Sequence, residues 1–216
     1  MTDQRSEQIK LESGLARLGL DAPPGAVEQL LEFMTLLREW SGAYNLVSPG
    51  ERAHLLARHV LDSLSIAPYL GNGPLLDIGT GAGLPGLPLA IIRPGMPAWL
   101  LDSAGKKIRF VAHVARTLAL DNVYPVCARA GEVLHDKVFA AITARAFASL
   151  ADFARAARPH CGAQTRLLAM KGGYPEQEIA ALPNWLEVEA VHALDVPYLH
   201  AERHLVIMSL EGREKQ

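Results

Sequence analysis

Four glycines follow a short apolar run near the middle of the chain. The run is Leu75–Ile78, and the segment after it contains Gly79, Gly81, Gly83 and Gly86. Glycine permits a sharp turn and a close approach of backbone to ligand, and the free N–H groups of a following helix favour a polar or anionic group. The segment therefore predicts a strand, a ligand-binding turn and a helix. Glycines that only tighten a turn are the alternative.

Two acidic residues indicate that the ligand of this turn is a nucleoside. Asp102 ends the next apolar run, about 20 residues beyond the turn, where a carboxylate can accept hydrogen bonds from ribose hydroxyls. Three of the glycines fit the dinucleotide pattern G-x-G-x-x-G, so NAD is one candidate. Asp77 lies two residues before Gly79, and the order D-x-G-x-G-x-G is common in class I methyltransferases. Asp77 could also be a buried carboxylate that only accepts backbone N–H bonds in the turn.

Two cations end later apolar runs. Arg145 and Lys171 follow the fourth and fifth predicted strands, and ligands of open parallel sheets bind at that end of the strands. Arginine often contacts guanine through O6 and N7, but a cation bonded to N7 would block that atom from reaction. We therefore expect each cation to hold a phosphate or a cofactor. A solvated cation at a strand end is the alternative for both.

A row of basic residues follows Asp102. Lys106, Arg109, His113 and Arg116 recur at spacings of three and four, which places them on one face of a helix. Such a face can contact RNA phosphates, with an affinity that falls as salt rises. The same face could equally be merely solvated.

The apolar pattern changes character at the turn cluster Gly71–Pro74. Residues 1–70 repeat apolar residues at helical spacing and predict a helical extension. Residues 71–216 alternate apolar runs with helical segments at 83–92, 104–119, 147–160 and 175–182, which predicts a mostly parallel sheet covered on both faces. The last two runs have no long helix between them, so we expect one antiparallel strand at or near an edge.

Composition narrows the class of protein. The chain has 216 residues, half of them hydrophobic, and a formal net charge of -2, which argues against a protein that coats nucleic acid non-specifically. No apolar run approaches the length of a membrane span, and there is no signal-peptide pattern. The two cysteines are in no metal-binding motif. We expect a cytoplasmic protein with no metal site and no membrane partner.

Several motifs together resemble one family. The chain is similar to the GidB family, the bacterial 16S rRNA guanine-N7 methyltransferases, from Tyr44 to the last strand. The motifs that carry the resemblance are Arg58–Leu64, Gly79–Gly86, Leu101–Ser103 before Lys106 and Lys107, Arg145–Leu150, Lys171–Gly172 and Glu202–Leu205.

The resemblance implies a fold, a cofactor and a substrate. The fold is the Rossmann-like class I methyltransferase fold with seven strands, and the cofactor is S-adenosyl-L-methionine. The substrate is one guanine in the decoding-region loop of 16S rRNA, either naked, within a small subunit or within an assembly intermediate of that subunit. It places Gly79 and Leu84 at the cofactor, Ala130 and Gly131 near the adenine, and Arg145 at the cofactor's border. The residues that it implies for activity are Arg129, Arg145 and Lys171.

One position departs from the family pattern. Gly131 stands where the family often carries an acidic residue, and Glu132 follows it, so a side-chain contact to the adenine is lost or shifted by one position. Taken with the acids and glycines above, the cofactor-binding prediction comprises Asp77, Gly79, Gly81, Gly83, Leu84, Asp102, Ala130, Gly131 and Arg145. The RNA-binding prediction comprises Lys106, Arg109 and Arg116.

The implied reaction needs little from side chains. Guanine N7 carries a lone pair in the neutral base, so displacement at a sulfonium methyl requires placement rather than a general base. An NAD-dependent oxidoreductase is one alternative, but no Tyr-x-x-x-Lys pair occurs in the chain. A non-catalytic ribosome-assembly factor with a vestigial nucleotide pocket is the other. Nothing in the sequence suggests an obligate dimer, so we expect a monomer.

Overall fold

A computed structural model describes residues 2–132, 134 and 137–211. Within them the helices are α1 Thr2–Arg17, α2 Ala26–Tyr44, α3 Asp62–Leu64, α4 Gly86–Ile92, α5 Gly105–Thr117, α6 Leu150–Ala157 and α7 Glu176–Ala180. The strands are β1 Leu75–Ile78, β2 Ala98–Asp102, β3 Val123–Cys127, β4 Phe139–Arg145, β5 Cys161–Lys171, β6 Leu186–Ala193 and β7 His204–Leu210.

The seven described strands form one sheet in the order β3-β2-β1-β4-β5-β7-β6. Neighbours from β3 through to β5 pair in parallel, whereas β7 is antiparallel to both β5 and β6. The prediction of a mostly parallel sheet with one antiparallel strand near an edge is confirmed. The chain leaves β1 towards β2 and β3, then returns to β4 on the other side of β1. This reversal opens a crevice at the carboxyl ends of β1 and β4, where ligands of such sheets bind.

Alternate residues of the central strands enter two hydrophobic cores. In β1, Leu75 packs on one face of the sheet with Phe110 of α5, and Leu76 packs on the other face with Phe153 of α6. All four residues of β1 are buried, as expected for a central parallel strand covered by helices on both sides.

The N-terminal helices share the first of these cores. Leu11 of α1, Leu30 of α2 and Leu61 are fully buried in the same cluster as Leu75 and Phe110. The helical character of this segment is confirmed, while a domain boundary at residue 70 stays a prediction. None of the helices in the described part of the chain is long and apolar enough to cross a membrane.

Two predicted helical stretches begin or continue differently from expectation. Leu150, not residue 147, starts α6, because the hydroxyl of Ser149 accepts a hydrogen bond from the N–H of Asp152 and caps the helix. The stretch before β1 is a series of short turns rather than one helix: a 3₁₀ segment Pro49–His54, a π-helical segment Leu56–Leu61 and then α3. π-helical turns are rare and occur often at functional sites.

Candidate active site

The glycine turn is a backbone structure that links β1 to α4. Gly79, Gly81 and Gly83 have φ values of 72°, 60° and 79°, a region that residues with a Cβ seldom adopt. The N–H groups of Gly79 and Thr80 donate to the carbonyl of Leu101, at 2.8 and 3.0 Å, so the turn rests against β2. The predicted strand, turn and helix are therefore present in this order.

Asp77 holds the turn from beneath. Its carboxylate is fully buried and accepts hydrogen bonds from the hydroxyl of Thr80 at 2.6 Å and the N–H of Gly86 at 2.9 Å. Burial raises the pKa of Asp77 to about 6. The side chain lines none of the cavities described below. Its geometry matches that of a structural carboxylate of the turn, and its contact with a cofactor stays a prediction.

Asp102 joins the turn to the start of α5. One carboxylate oxygen accepts from the N–H of Gly81 at 3.0 Å and from the Lys107 ammonium at 3.3 Å, and the other accepts from the N–H of Ala104 at 2.8 Å. Its side chain is 8% exposed. A carboxylate offers about four acceptor positions, so Asp102 retains the capacity for a further donor such as a hydroxyl.

A cavity of about 480 Å³, here the turn cavity, opens beside these groups. Four residues of the cofactor-binding prediction line it together with Phe147, namely Gly79, Asp102, Ala130 and Arg145, and their contact with a cofactor stays a prediction. A Cβ added to Gly79 would lie 3.5 Å from the Phe147 ring, so any side chain there would take up space beside the cavity. The size, the apolar ring and the buried carboxylate suit a nucleoside with a polar tail.

The predicted residues on the β3 side are split between two places. A second cavity, the loop cavity, has a volume of about 570 Å³ and is lined by Arg129 and Glu132, and it shares Ser103 with the turn cavity. Gly131 lines neither cavity and has a φ of 90°. Leu84 is 3% exposed and packs in the first core, and it lines neither cavity. The contacts predicted for Gly81, Gly83, Leu84 and Gly131 with a cofactor stay predictions.

A third cavity adjoins the turn cavity across the end of β4. Its volume is about 460 Å³, and it shares Arg145 and Ala146 with the turn cavity. We name it the arginine cavity after its lining residues Arg58, Arg145 and Arg203. Two ligand groups, one in each cavity, would therefore meet at Arg145.

Arg145 is held by the segment before β1. Its guanidinium donates to Asp62 at 3.5 Å, to Nδ1 of His59 at 3.3 Å and to the carbonyl of Arg58 at 3.3 Å. Burial lowers the pKa of Arg145, and burial followed by the charge of Arg145 lowers the pKa of His59 to about 4. His59 is thus neutral at pH 7 and can accept the hydrogen bond from Arg145.

Lys171 is paired rather than solvated. It ends β5 as predicted, and its ammonium lies 2.7 Å from an oxygen of Glu178. Glu178 also accepts a hydrogen bond from the N–H of Leu150 at the start of α6. The side chain of Lys171 is 13% exposed and lines the arginine cavity, so a ligand there could share its remaining donors.

The basic row on α5 lies outside the cavities. Lys106, Arg109 and Arg116 are exposed, whereas His113 is half-buried against the ring of Trp40, 5.0 Å away. Contact of these three cations with RNA stays a prediction.

Sequence reasoning assigned no role to Asp62, Arg203 or Glu178. The first two stand in the motifs Arg58–Leu64 and Glu202–Leu205, so their membership of a motif was the available signal. No spacing along the chain indicates that they meet at Arg145.

Comparisons with known proteins identify similar chains. A family model described as rRNA small subunit methyltransferase G matches residues 26–206. A protein of Alkalilimnicola ehrlichii named Ribosomal RNA small subunit methyltransferase G is 46% identical, over 91% of this chain and 89% of that protein. The protein of the same name from Escherichia coli strain K12 / DH10B is 43% identical, over 92% of this chain and 96% of its own length.

Solved structures share the fold at low sequence identity. The glycopeptide N-methyltransferase MtfA in complex with S-adenosyl-L-methionine has a TM-score of 0.61 and 13% identity, and covers 72% of this chain and 88% of its own. A SAM-dependent methyltransferase from Aquifex aeolicus has a TM-score of 0.55 and 16% identity, and covers 79% of this chain and 97% of its own. The expected class I methyltransferase fold is confirmed.

Proposed function

The chain belongs to the GidB family of rRNA small subunit methyltransferases, and we propose that its adjoining cavities bring S-adenosylmethionine against one guanine of small-subunit rRNA. It is an S-adenosylmethionine-dependent methyltransferase that acts on ribosomal RNA. The proposal adds four points to this: that the target is a guanine, that N7 is the methylated atom, that the rRNA is that of the small subunit, and which residues hold each group.

The turn cavity would hold the cofactor. Asp102 would accept a ribose hydroxyl, the backbone of the turn at Gly79 would lie against the polar tail, and Phe147 would offer an apolar wall. Ala130 and the loop cavity with Arg129 provide space for the base. When bound, S-adenosylmethionine supplies a methyl group on a sulfonium, which a nucleophile displaces in line.

The arginine cavity would hold the target nucleotide. Arg145, Arg203 and Lys171 line it, and cations of this kind bind phosphate through charge-assisted hydrogen bonds. Their ion pairs with Asp62 and Glu178 fix the side chains at the wall, which leaves N7 of a guanine free of a blocking cation. N7 needs no deprotonation, and Nδ1 of His59 is already occupied by the hydrogen bond from Arg145.

The main support for the proposal is that the turn cavity and the arginine cavity share part of their lining. Arg145 and Ala146 line both cavities, so a cofactor in one cavity and a base in the other would be neighbours at the end of β4. Positioning of this kind is the main requirement for an in-line methyl transfer that needs no base.

Methyl transfer with labelled cofactor tests the proposal. Purified protein is incubated with S-adenosylmethionine and small subunits, or naked 16S rRNA, from cells that lack the gene, and the modified nucleotide is mapped by mass spectrometry. We expect one N7-methylguanine in the decoding-region loop. A methyl group on another nucleotide would contradict the substrate assignment, and the absence of transfer would favour a non-catalytic assembly factor. Calorimetry with NADH should show no binding, in contrast to S-adenosylhomocysteine.

We also propose that the enzyme acts as a monomer in the cytoplasm. The proposed reaction needs no residue from a second copy, because the turn cavity and the arginine cavity adjoin each other at Arg145 and Ala146 of the same chain. Sedimentation of the purified protein at assay concentration tests this proposal, and a stable dimer would contradict it.

A further inference from the structure

Asp62 is a buried carboxylate between two arginines from different parts of the sheet. It follows the π-helical segment directly, and its side chain is 3% exposed. One oxygen accepts from Nε of Arg203 at 2.8 Å, and the other lies 3.5 Å from the guanidinium of Arg145. Both arginine side chains are 24% exposed and line the arginine cavity. The carboxylate and the two cations that it pairs with therefore line the same cavity.

The charge balance at this point differs from that at the other cations of the cavity. Arg58 has a carboxylate of its own in Glu51, at 2.6 Å, and Lys171 has one in Glu178. Arg145 and Arg203 share the single charge of Asp62, so the three groups together keep one positive charge towards the cavity. A phosphate or another anionic group would be attracted to this point rather than to the paired cations beside it.

The close placement of Arg145 and Arg203 depends on Asp62, because water screens their charges poorly at this wall. Two cations held close together in a poorly hydrated wall repel each other unless an anion lies between them. Burial raises the pKa of Asp62, while the charges of Arg145 and Arg203 oppose that shift. The π-helical segment adds the carbonyl of Arg58 as a further acceptor for Arg145, at 3.3 Å.

We propose that Asp62 is a positioning residue that fixes Arg145 and Arg203 at the wall between the turn cavity and the arginine cavity. The proposal rests on the proposed function, in which the two arginines contact the anionic RNA substrate. Asp62 acts through the arginines, and it makes no contact with the transferred group.

Kinetics of Asp62→Asn test the catalytic part. We expect kcat to fall about 30-fold and the KM for RNA to rise several-fold, because the arginines lose their shared anchor, while the affinity for S-adenosylhomocysteine changes less than about threefold. Glu189→Gln is the matched control, because Glu189 is a half-buried carboxylate paired with Arg166 at 2.9 Å, away from the cavities. It should leave the kinetics unchanged. Equal losses in both variants, or no loss in Asp62→Asn, would overturn the proposal.

A double variant separates positioning from simple structural support. If Asp62 acts through the arginines, Asp62→Asn combined with Arg203→Gln should have the kcat of Asp62→Asn alone, below that of Arg203→Gln. Independent roles would multiply the two losses. The double variant removes the cation of Arg203 together with the buried anion that it pairs with. The comparison with Arg203→Gln therefore stays available even where Asp62→Asn alone folds poorly.

Arginine Nε–H signals in NMR spectra test the positioning part without any activity. The Nε–H of Arg203 donates to Asp62, and that of Arg166 donates to Glu189 at 2.9 Å, so one spectrum contains the signal and its internal control. We expect both to exchange slowly with water in the unmodified protein. Asp62→Asn should accelerate exchange only at Arg203, and Glu189→Gln only at Arg166. Rapid exchange of the Arg203 signal in the unmodified protein would overturn the proposal, whereas a lack of methyl transfer would overturn only the proposed function.

Discussion

The two cavities that meet at Arg145 are built in different ways. The turn cavity is lined by Gly79 of the glycine turn, by the end of β2 and by the segment after β4, and backbone hydrogen bonds such as Gly79 to Leu101 hold the turn in place. The arginine cavity is assembled from side chains far apart in the chain, since Asp62 and Arg203 are separated by 141 residues. The turn cavity is therefore sensitive to side-chain volume and backbone conformation, and the arginine cavity is sensitive to the balance of charges.

The largest expected effect on stability is at Gly86, where the packing leaves no room for a side chain. A Cβ there would lie 2.7 Å from Leu100 and 2.8 Å from the carboxylate of Asp77, both buried. Gly86→Ala should lower the free energy of unfolding by about 3 kcal/mol, as measured by urea denaturation. Gly42→Ala is the control, because Gly42 is within α2 and its added Cβ would meet no atom within 4 Å apart from its chain neighbours and the backbone of that helix. It should raise stability by about 0.5–1 kcal/mol. Similar effects at both glycines would contradict the packing argument.

Asp102→Ala tests the carboxylate that joins the glycine turn to the start of α5. Loss of the carboxylate removes the acceptor of the Gly81 and Ala104 N–H groups and the expected partner of the ribose. The Kd for S-adenosylhomocysteine should rise about 100-fold, close to 3 kcal/mol, in calorimetry. Asp121→Ala removes an exposed carboxylate and should leave the Kd unchanged. An unaltered affinity in Asp102→Ala would show that the ribose lies elsewhere.

His59, which lines the arginine cavity, should make the stability of the protein depend on pH. The pKa of His59 is lowered from 6.5 to about 4 in the folded protein, so the unfolded chain binds a proton between these values and the folded protein does not. Stability present above pH 6.5 is therefore lost as the pH falls towards 4. The groups that face the ring are Arg145, Glu51, Arg58 and Arg203.

A variant without the imidazole isolates this effect. Between pH 7 and 4.5 the free energy of unfolding should fall by about 1–2 kcal/mol more in the unmodified protein than in His59→Gln, after allowance for partial solvent access. Urea titrations across this range measure the difference. Parallel pH profiles for the two proteins would refute a neutral, buried His59.

The smallest effect is expected on α5, outside both cavities. Each of Lys106→Ala, Arg109→Ala and Arg116→Ala should weaken RNA binding less than about tenfold and reduce the slope of log K against log salt by about 1. Arg5→Ala removes an exposed cation from α1 and should leave the slope unchanged. A normal salt slope in all three α5 variants would confine the RNA contacts to the arginine cavity.

Several features could be predicted because they depend on neighbouring residues. The order of strands and helices follows from apolar periodicity, and the glycine turn follows from φ values that only glycine adopts readily. The positions of Arg145 and Lys171 at strand ends follow from the same pattern. The family resemblance added the cofactor and the substrate, which local physics does not specify.

The ion pairs of the arginine cavity were not predictable in the same way. Nothing near Asp62 in the chain indicates Arg145 or Arg203 as partners, since their contact requires the strand order β4-β5-β7 and the turns before β1. Likewise, the buried position of Asp77 and the pairing of Lys171 with Glu178 depend on what α4, α6 and α7 place around them.

The sequence alone determined the elements and the backbone turn, because periodicity and the need for positive φ act between residues that are close along the chain. Only the tertiary structure decided which charges share a wall, because electrostatic pairing depends on distance in space and on burial, and both are set by the packing of the whole sheet. Asp62, Arg145 and Arg203 are the example, because they lie far apart in the sequence and form one cluster around a buried carboxylate in the fold.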